Sequence, residues 1–183
     1  TLNYKGWSLT GAVTFYDSEV RLENCNFSNS WCEDALNIIN THFVAVNCSI
    51  KNCASDGFDG DFTNGTINNC RMENIGNDAI DFSGSKVQIT HTSISYSGDK
   101  GVSGGEGSTL SVDNCVIDNS NIAIASKDNS LIRVSNTTLA NSKIGFAAYR
   151  KKDEFGPAQI KARDILQQSI ANLPLIDLNS RIS

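Results

Sequence analysis

The chain has 183 residues, of which 39% are hydrophobic, and a formal net charge of −5. That is enough for one domain with a buried core, and the negative balance excludes a sequence-independent grip on nucleic acid phosphates, which needs clustered Lys and Arg. No run approaches the roughly 18 consecutive apolar residues of a membrane span, and the opening residues Thr1, Leu2 and Asn3 carry neither a start methionine nor a signal peptide, as expected of a domain excised from a larger parent protein or of a mature product.

Small polar residues are abundant and proline occurs only at Pro157 and Pro174, which suits many short strands joined by tight turns. An internal period confirms the pattern. Residues 20–29 (VRLENCNFSN) recur as 110–119 (LSVDNCVIDN) and as 132–141 (IRVSNTTLAN), with weaker copies at 65–74 and 87–96. Fixed periods of this size mean a solenoid, in which each coil buries its apolar residues by stacking on its neighbours. The expectation is an all-β parallel β-helix of about six to seven coils of 22 residues, with three short strands per coil.

In chain order, residues 1–19 form the N-terminal cap and first coil, with Trp7 and its apolar neighbours closing the end. Residues 20–150 are the regular coils. In each, a first strand (Val20 and Leu22 on one face) bends at Glu23-Asn24 into a second, whose inward face carries Cys25 and Phe27. Down equivalent positions run the columns Cys25, Cys48, Cys70, Thr92, Cys115, Thr137 and Phe27, Ile50, Met72, Ile94, Ile117, Leu139. Asn24, Asn47, Asn69, Asn114 and Asn136 occupy the bend, His91 replacing Asn once; stacked amides can bond along the column and asparagine tolerates left-handed backbone. After a second turn comes a third strand. By alternation Leu36, Phe58, Ile80, Val102, Ile124 and Phe146 point inward, and Asn37, Asp59, Asp81, Ser103, Ala125 and Ala147 outward. Residues 151–183 hold an insertion (151–156) and then either a degenerate last coil or, in the competing reading, an amphipathic helix over 160–170.

Four of the six cysteines share one inward column with parallel side chains, so they read as small buried thiols. Cys32 and Cys53, near the same turn of adjacent coils, leave one bridge open, and no spacing matches a zinc site. His42 and His91 read as structural. The Asn-x-Ser/Thr sequons at Asn26, Asn47, Asn64 and Asn136 read as accidents of composition, two of them lying in the ladder.

Ahead of the third strand runs the file Asp34, Asp56, Asp78, Lys100, Ile122, Ile144 at steps of 22. Coils lie about 4.8 Å apart, and two unit charges at that distance repel by roughly 3–4 kcal/mol at an effective dielectric near 20. Turn N–H groups, the Lys100 ammonium, raised carboxyl pKa values or a bound cation could offset this. Asp59, Asp61 and Asp81 gather on the adjacent outward face, with Glu106 and Asp128 one turn further round; hard oxygen ligands at this density suit Ca2+, with Asp59, Asp61 and Asp81 as the ligands. The alternative is that these aspartates bond local backbone only.

The asparagine ladder, the fold and the acidic face together resemble the pectate-lyase-like superfamily of right-handed parallel β-helices. Ser55-Asp56-Gly57-Phe58-Asp59, Asn77-Asp78-Ala79-Ile80 and Gly98-Asp99-Lys100-Gly101-Val102-Ser103 resemble, in order and one coil apart, the polygalacturonase series Asn-Thr-Asp, Asp-Asp and Gly-His-Gly. That resemblance implies general acid and base work on a glycosidic bond, with Asp56, Asp78, Asp81 and Lys100 catalytic and Asp34, Asn37, Asp59, Ser103 and Glu106 against the substrate. It departs at Asn77, at Lys100 in place of histidine, and at Ala123-Ile124-Ala125 where that family has an Arg-Ile-Lys clamp. Resemblance to the lyases implies instead calcium on clustered carboxylates, with Lys100 as the base. Two functions follow: an extracellular or cell-surface domain that binds or processes a polysaccharide, an anionic one among the candidates, or a non-catalytic structural or interaction solenoid of a larger surface protein.

Overall fold

A computed structural model describes residues 2–4 and 6–183, without the side chains of Leu2 and Trp7, so the closing role expected of Trp7 lies outside the described residues. Leu2–Tyr4 and Trp7–Leu9 pair antiparallel. All else is a parallel β-solenoid with a triangular coil.

The first sheet collects Val20–Glu23, His42–Val46, Asn64–Asn68, Lys86–Thr90 and Thr109–Asp113, then the first halves of Leu131–Ala140 and Gln159–Gln168, then Arg181–Ile182. The second holds Asn26–Ser28, Ser49–Cys53 and Arg71–Ile75, the first halves of Ser93–Gly105 and Val116–Lys127, and the second halves of Leu131–Ala140 and Gln159–Gln168. Gly11–Tyr16, Asp34–Ile39, Asp56–Asp61, Ile80–Ser83, the remaining halves of Ser93–Gly105 and Val116–Lys127, Ile144–Tyr149 and Leu175–Ile176 make the third. Among the described residues the first and third sheets thus have eight rungs, so the solenoid is longer than the six to seven coils expected. The excess comes from 158–183, where Gln159–Gln168 pairs with Leu131–Ala140 as a strand and not as a helix.

Both inward columns named from the repeat are in place: Ile50, Met72, Ile94, Ile117 and Leu139 are buried, as are Cys48, Cys70, Thr92, Cys115 and Thr137. Burial of each such aliphatic side chain contributes about 1.5–3 kcal/mol. Phe43, Phe58 and Phe82 pack with ring centroids 5.2–5.9 Å apart. All six cysteines are free thiols, so Cys32 and Cys53 are not bridged.

The corners explain the period. Each carries a residue with positive φ: Asn24, Asn47, Asn69, His91, Asn114 and Asn136 at the first, Asn29, Asn52, Asn74, Tyr96, Asn119 and Asn141 at the second, and Asp17, Asn40, Phe62, Gly84, Glu106 and Asp128 at the third. The N–H of the left-handed residue still reaches a carbonyl one coil on, as Asn47 N to Asn68 O at 3.1 Å. Amides stack above it, Asn69 Nδ2 donating to Asn47 Oδ1 at 2.7 Å and Asn74 Nδ2 to Asn52 Oδ1 at 2.9 Å.

The following residue's N–H turns into the core, where the acceptor is a side chain one coil on. Cys48 N donates to Cys70 Sγ (3.4 Å), Cys70 N to Thr92 Oγ1 (3.3 Å) and Cys115 N to Thr137 Oγ1 (3.4 Å). Thr63, Ser85 and Ser108 repeat this at the third corner, each N–H donating to the hydroxyl of the next member, Ser85, Ser108 and Ser130, at 2.9–3.0 Å. The accepting hydroxyl then donates to a carbonyl of its own coil, as Thr92 Oγ1 to Thr90 O at 3.0 Å. Small residues with a donor and an acceptor are therefore required at these positions.

Thr92→Val keeps the shape and leaves the buried Cys70 N–H without an acceptor, which costs about 1–3 kcal/mol. Thr92→Ser loses only a methyl contact and costs roughly 1 kcal/mol or less. Urea unfolding of the two variants reads the difference; equal midpoints would show that the column is packing alone.

Candidate functional site

The third sheet's outer surface carries three parallel files. Ahead of the strand stand Asp34, Asp56, Asp78, Lys100, Ile122 and Ile144; at mid-strand Thr14, Asn37, Asp59, Asp81, Ser103, Ala125 and Ala147; and beyond these Ile39, Asp61, Ser83, Gly105, Lys127 and Tyr149. Most candidate residues of the sequence thus meet on one face. Close passage of the coils at the second corner is what lets the first file stack: a Cβ on Gly76 would lie 2.1 Å from Ala54 O, and one on Gly98 2.1 Å from Gly76 O.

In the first file, Asp56 Oδ1 accepts from Asp78 N (2.9 Å) and Asn77 Nδ2 (2.7 Å), and Asp78 Oδ1 from Lys100 N (3.0 Å). Asp34 Oδ2 accepts the Thr10 hydroxyl at 2.7 Å. The Lys100 ammonium lies 3.3 Å from Asp78 and bonds Asp99 as well. Turn N–H groups and the ammonium, two of the compensations expected, are both at work.

Protons supply a third. Burial, with smaller repulsion from Asp56, Glu33 and Asp61, pushes Asp34 up to about 6 despite its Thr10 bond. Burial and Asp81 push Asp78 to about 6 against the pull of Lys100 and Lys127, and burial and Glu106 push Asp61 to about 6. Asp56 is raised by burial. Asp59 is raised furthest from the ordinary range, by burial and then by the charges of Asp61, Asp34, Asp81 and Asp56.

Lys100, the base that the sequence suggested, is paired with two carboxylates that favour its charged form. Burial works against its charge, but Asp78 and Asp99 outweigh burial and hold the ammonium above the ordinary lysine range. Glu106 stands at the third corner, where it bonds Lys152 and faces Asp61. Asp128 takes the Lys151 and Lys152 N–H groups at 2.6 and 2.8 Å and so anchors the insertion.

Lys127 and Lys152 were missed. Lys127 stretches across Gly105 and sits 3.5 Å from both Asp81 oxygens; its place in the 22-residue file with Asp61 was the available signal. Lys152 lies in the insertion, where the period breaks and register cannot be extrapolated. Asn37 Nδ2 donates to Asp59 Oδ2 at 2.5 Å, yet Asn37 Oδ1, Ser103 Oγ and Thr14 Oγ1 are buried and have no partner. Asn37 and Ser103 are 2% and 0% exposed. Among the described residues no three His, Cys, Asp or Glu side chains converge as ligands of one metal ion; Asp59 and Asp81 are instead tied to Asn37 and Lys127, so the donor set does not form a calcium cage.

A parallel solenoid bearing a file of carboxyls on one outer sheet is the class these observations define. The family described as right handed beta helix region matches residues 59–161, over half of the chain. The chain belongs to that family, which also sets the hand of the coil. Among solved structures it is similar to the catalytic domain of a GH87 alpha-1,3-glucanase in complex with nigerose, at 13% identity and a TM-score of 0.42 over 92% of this chain and 49% of that one. A substituted form of such a domain in complex with tetrasaccharides gives 12%, 0.43, 94% and 48%. The chain spans about half the length of these domains. No curated protein matches it in sequence. No helix among the described residues is long and apolar enough to cross a membrane.

The raised carboxyls tie stability to pH. Asp34, Asp61 and Asp78 hold their protons to about pH 6 when folded and to about pH 4 when unfolded. Folding therefore takes up protons between these values, and the stability they contribute, full below about pH 4, is lost as pH rises through 6. Asp61→Asn should raise the unfolding temperature at pH 7.5 by roughly 2–4 °C, the effect of about 1 kcal/mol in a chain of this size, and flatten the decline from pH 4.5 to 7.5. Parallel pH profiles for the two proteins would show that Asp61 carries no such strain.

Proposed function

We propose that the outer face of the third sheet binds and processes a polysaccharide, with Asp59 as proton donor and Asp81, ion-paired with Lys127, as its carboxylate partner one rung away. The observation that carries this reading is the mid-strand file itself. Two carboxyls, one of them holding its proton far above the ordinary range, stand between Asn37 and Ser103, whose buried Oδ1 and Oγ atoms have no protein partner. Buried polar atoms are normally satisfied, and sugar hydroxyls, both donors and acceptors, are suited to them. Beyond Ser103 the file is closed by the buried cluster of Ile122, Ala125 and Ala147, against which Ile144 and Tyr149 pack, so the carboxyl end of the file is where a sugar chain would lie.

A carboxyl that holds its proton above the ordinary range can donate to a leaving glycosidic oxygen, the step for which general acids are tuned upward. Asp34, Asp56 and Asp78 support the face and accept backbone or hydroxyl donors. Asp59, Asp61 and Asp81 offer hard oxygens that would draw a calcium ion only after rearrangement, so no step is drawn through a metal. The setting we infer is extracellular or at a cell surface. A second reading, a non-catalytic interaction solenoid, is favoured by the backbone bonds of Asp56 and Asp78, which account for those two residues without any ligand.

Incubation with neutral and acidic glycans, reading new reducing ends and unsaturated products with and without calcium, separates the readings. Asp59→Asn should lower turnover by about 10²–10⁴ with little change in KM, and wild-type activity should fall as pH rises through the raised Asp59 pKa. If Asp59→Asn and Asp81→Asn turn over as wild type does, or if no glycan is bound, the interaction solenoid is the better account.

A further inference from the structure

On a different face, the last coils of the first sheet hold a cavity of about 330 Å³ lined by Ser111, Arg133, Ser135, Lys161, Arg163 and Ser183. Arg133 and Lys161 are neighbours in one outward file, and Ser135 and Arg163 in the next, two residues further along the same strands. No Asp or Glu side chain lines the cavity.

Elsewhere the protein neutralises such cations within the strand. Arg21, in the same file as Arg133 and Lys161, bonds Glu23, and Arg71 on the second sheet lies 3.1 Å from Glu73, each partner being two residues on. The place held by Glu23 beside Arg21 is held by Ser135 beside Arg133 and by Arg163 beside Lys161. The nearest acid of that file, Asp113, feels the charge of Arg163 but makes no ion pair with it, its oxygens being taken by the Ser135 hydroxyl at 2.5 Å and by Asn136 Nδ2 at 2.9 Å. Three cations with no ion-pair partner among the described residues thus share one concave site in a chain whose net charge is −5.

We propose that this cavity binds the oxyanion of an acidic saccharide, a carboxylate or a sulfate ester. Guanidinium forks match the planar or tetrahedral oxygens of such groups, and like charges on adjacent rungs are relieved when an anion sits between them. The Ser111 and Ser135 hydroxyls provide partners for the neighbouring sugar hydroxyls. A long polyanion such as nucleic acid meets net repulsion beyond these coils, so a short anionic group is the better fit.

Calorimetric titration of the whole chain with trigalacturonate, a sulfated trisaccharide, a neutral trisaccharide and inorganic sulfate tests this. At least one acidic saccharide should bind, about tenfold or more tightly than inorganic sulfate and more weakly as salt rises; the neutral sugar should not compete. Arg133→Gln and Arg163→Gln, both surface changes, should each weaken that binding by about tenfold, the worth of one charge-assisted bond. Unchanged affinity in the double variant, equal binding of the neutral sugar, or inorganic sulfate binding as well as the saccharides would overturn the proposal. Because the site is remote from Asp59 and Asp81, loss of glycan processing by their variants leaves this result untouched.

Discussion

The solenoid depends on one backbone problem recurring at its first and third corners. A left-handed residue turns the chain, its own N–H still finds a carbonyl in the next coil, and the N–H after it points inward where no carbonyl waits. A buried amide left unpaired is costly, so the next coil must present a small acceptor at that height. Cys70, Thr92, Thr137, Ser85, Ser108 and Ser130 do so. The acceptor must stay in line from coil to coil, at steps of 22 residues or, from Ser85 to Ser108, 23, which ties the spacing to hydrogen bonding as well as to apolar packing.

Strict stacking brings identical outward positions within a rung spacing of each other, and on the third sheet these positions are carboxyls. Their repulsion is distributed among several remedies: the N–H groups of Asp78 and Lys100, the Thr10 hydroxyl, the ammonium groups of Lys100 and Lys127, and retained protons. The same crowding gives Asp59 its raised pKa. Asp34, Asp56 and Asp78 stand largely explained by local bonds, whereas the file from Thr14 to Ser103 retains buried polar atoms with nothing to bond. Lys100, held by two carboxylates, serves as a counter-charge to them.

The first and second sheets treat charge differently. Arg21 and Arg71 are balanced by a glutamate two residues on, so those parts of the surface are electrically quiet. Where serine or arginine takes the glutamate's place, the surface becomes cationic. A repeat protein can in this way carry sites of opposite sign on different faces, since each file is a separate sequence of choices at one repeat position.

Much of this was legible in the sequence, because a fixed period turns residue number into height. The columns at Cys25 and Phe27, the first asparagine ladder, the inward and outward sides of the third strand and the gathering of Asp34, Asp56, Asp59, Asp78 and Asp81 follow from spacing alone. Tertiary structure decided what spacing cannot carry. The second and third corners use mixed residues, among them Tyr96, Phe62 and Glu106, whose left-handed backbone has no residue signature. The insertion at 151–156 breaks the period, so only the folded chain places Lys152 against Glu106 and continues 158–183 as strands. Lys127 reaches Asp81 two rungs away, because a lysine's length exceeds the rung spacing and its direction depends on what surrounds it. Protonation, too, belongs to the fold: burial and several neighbours together set it, and no one of them can be read from the sequence.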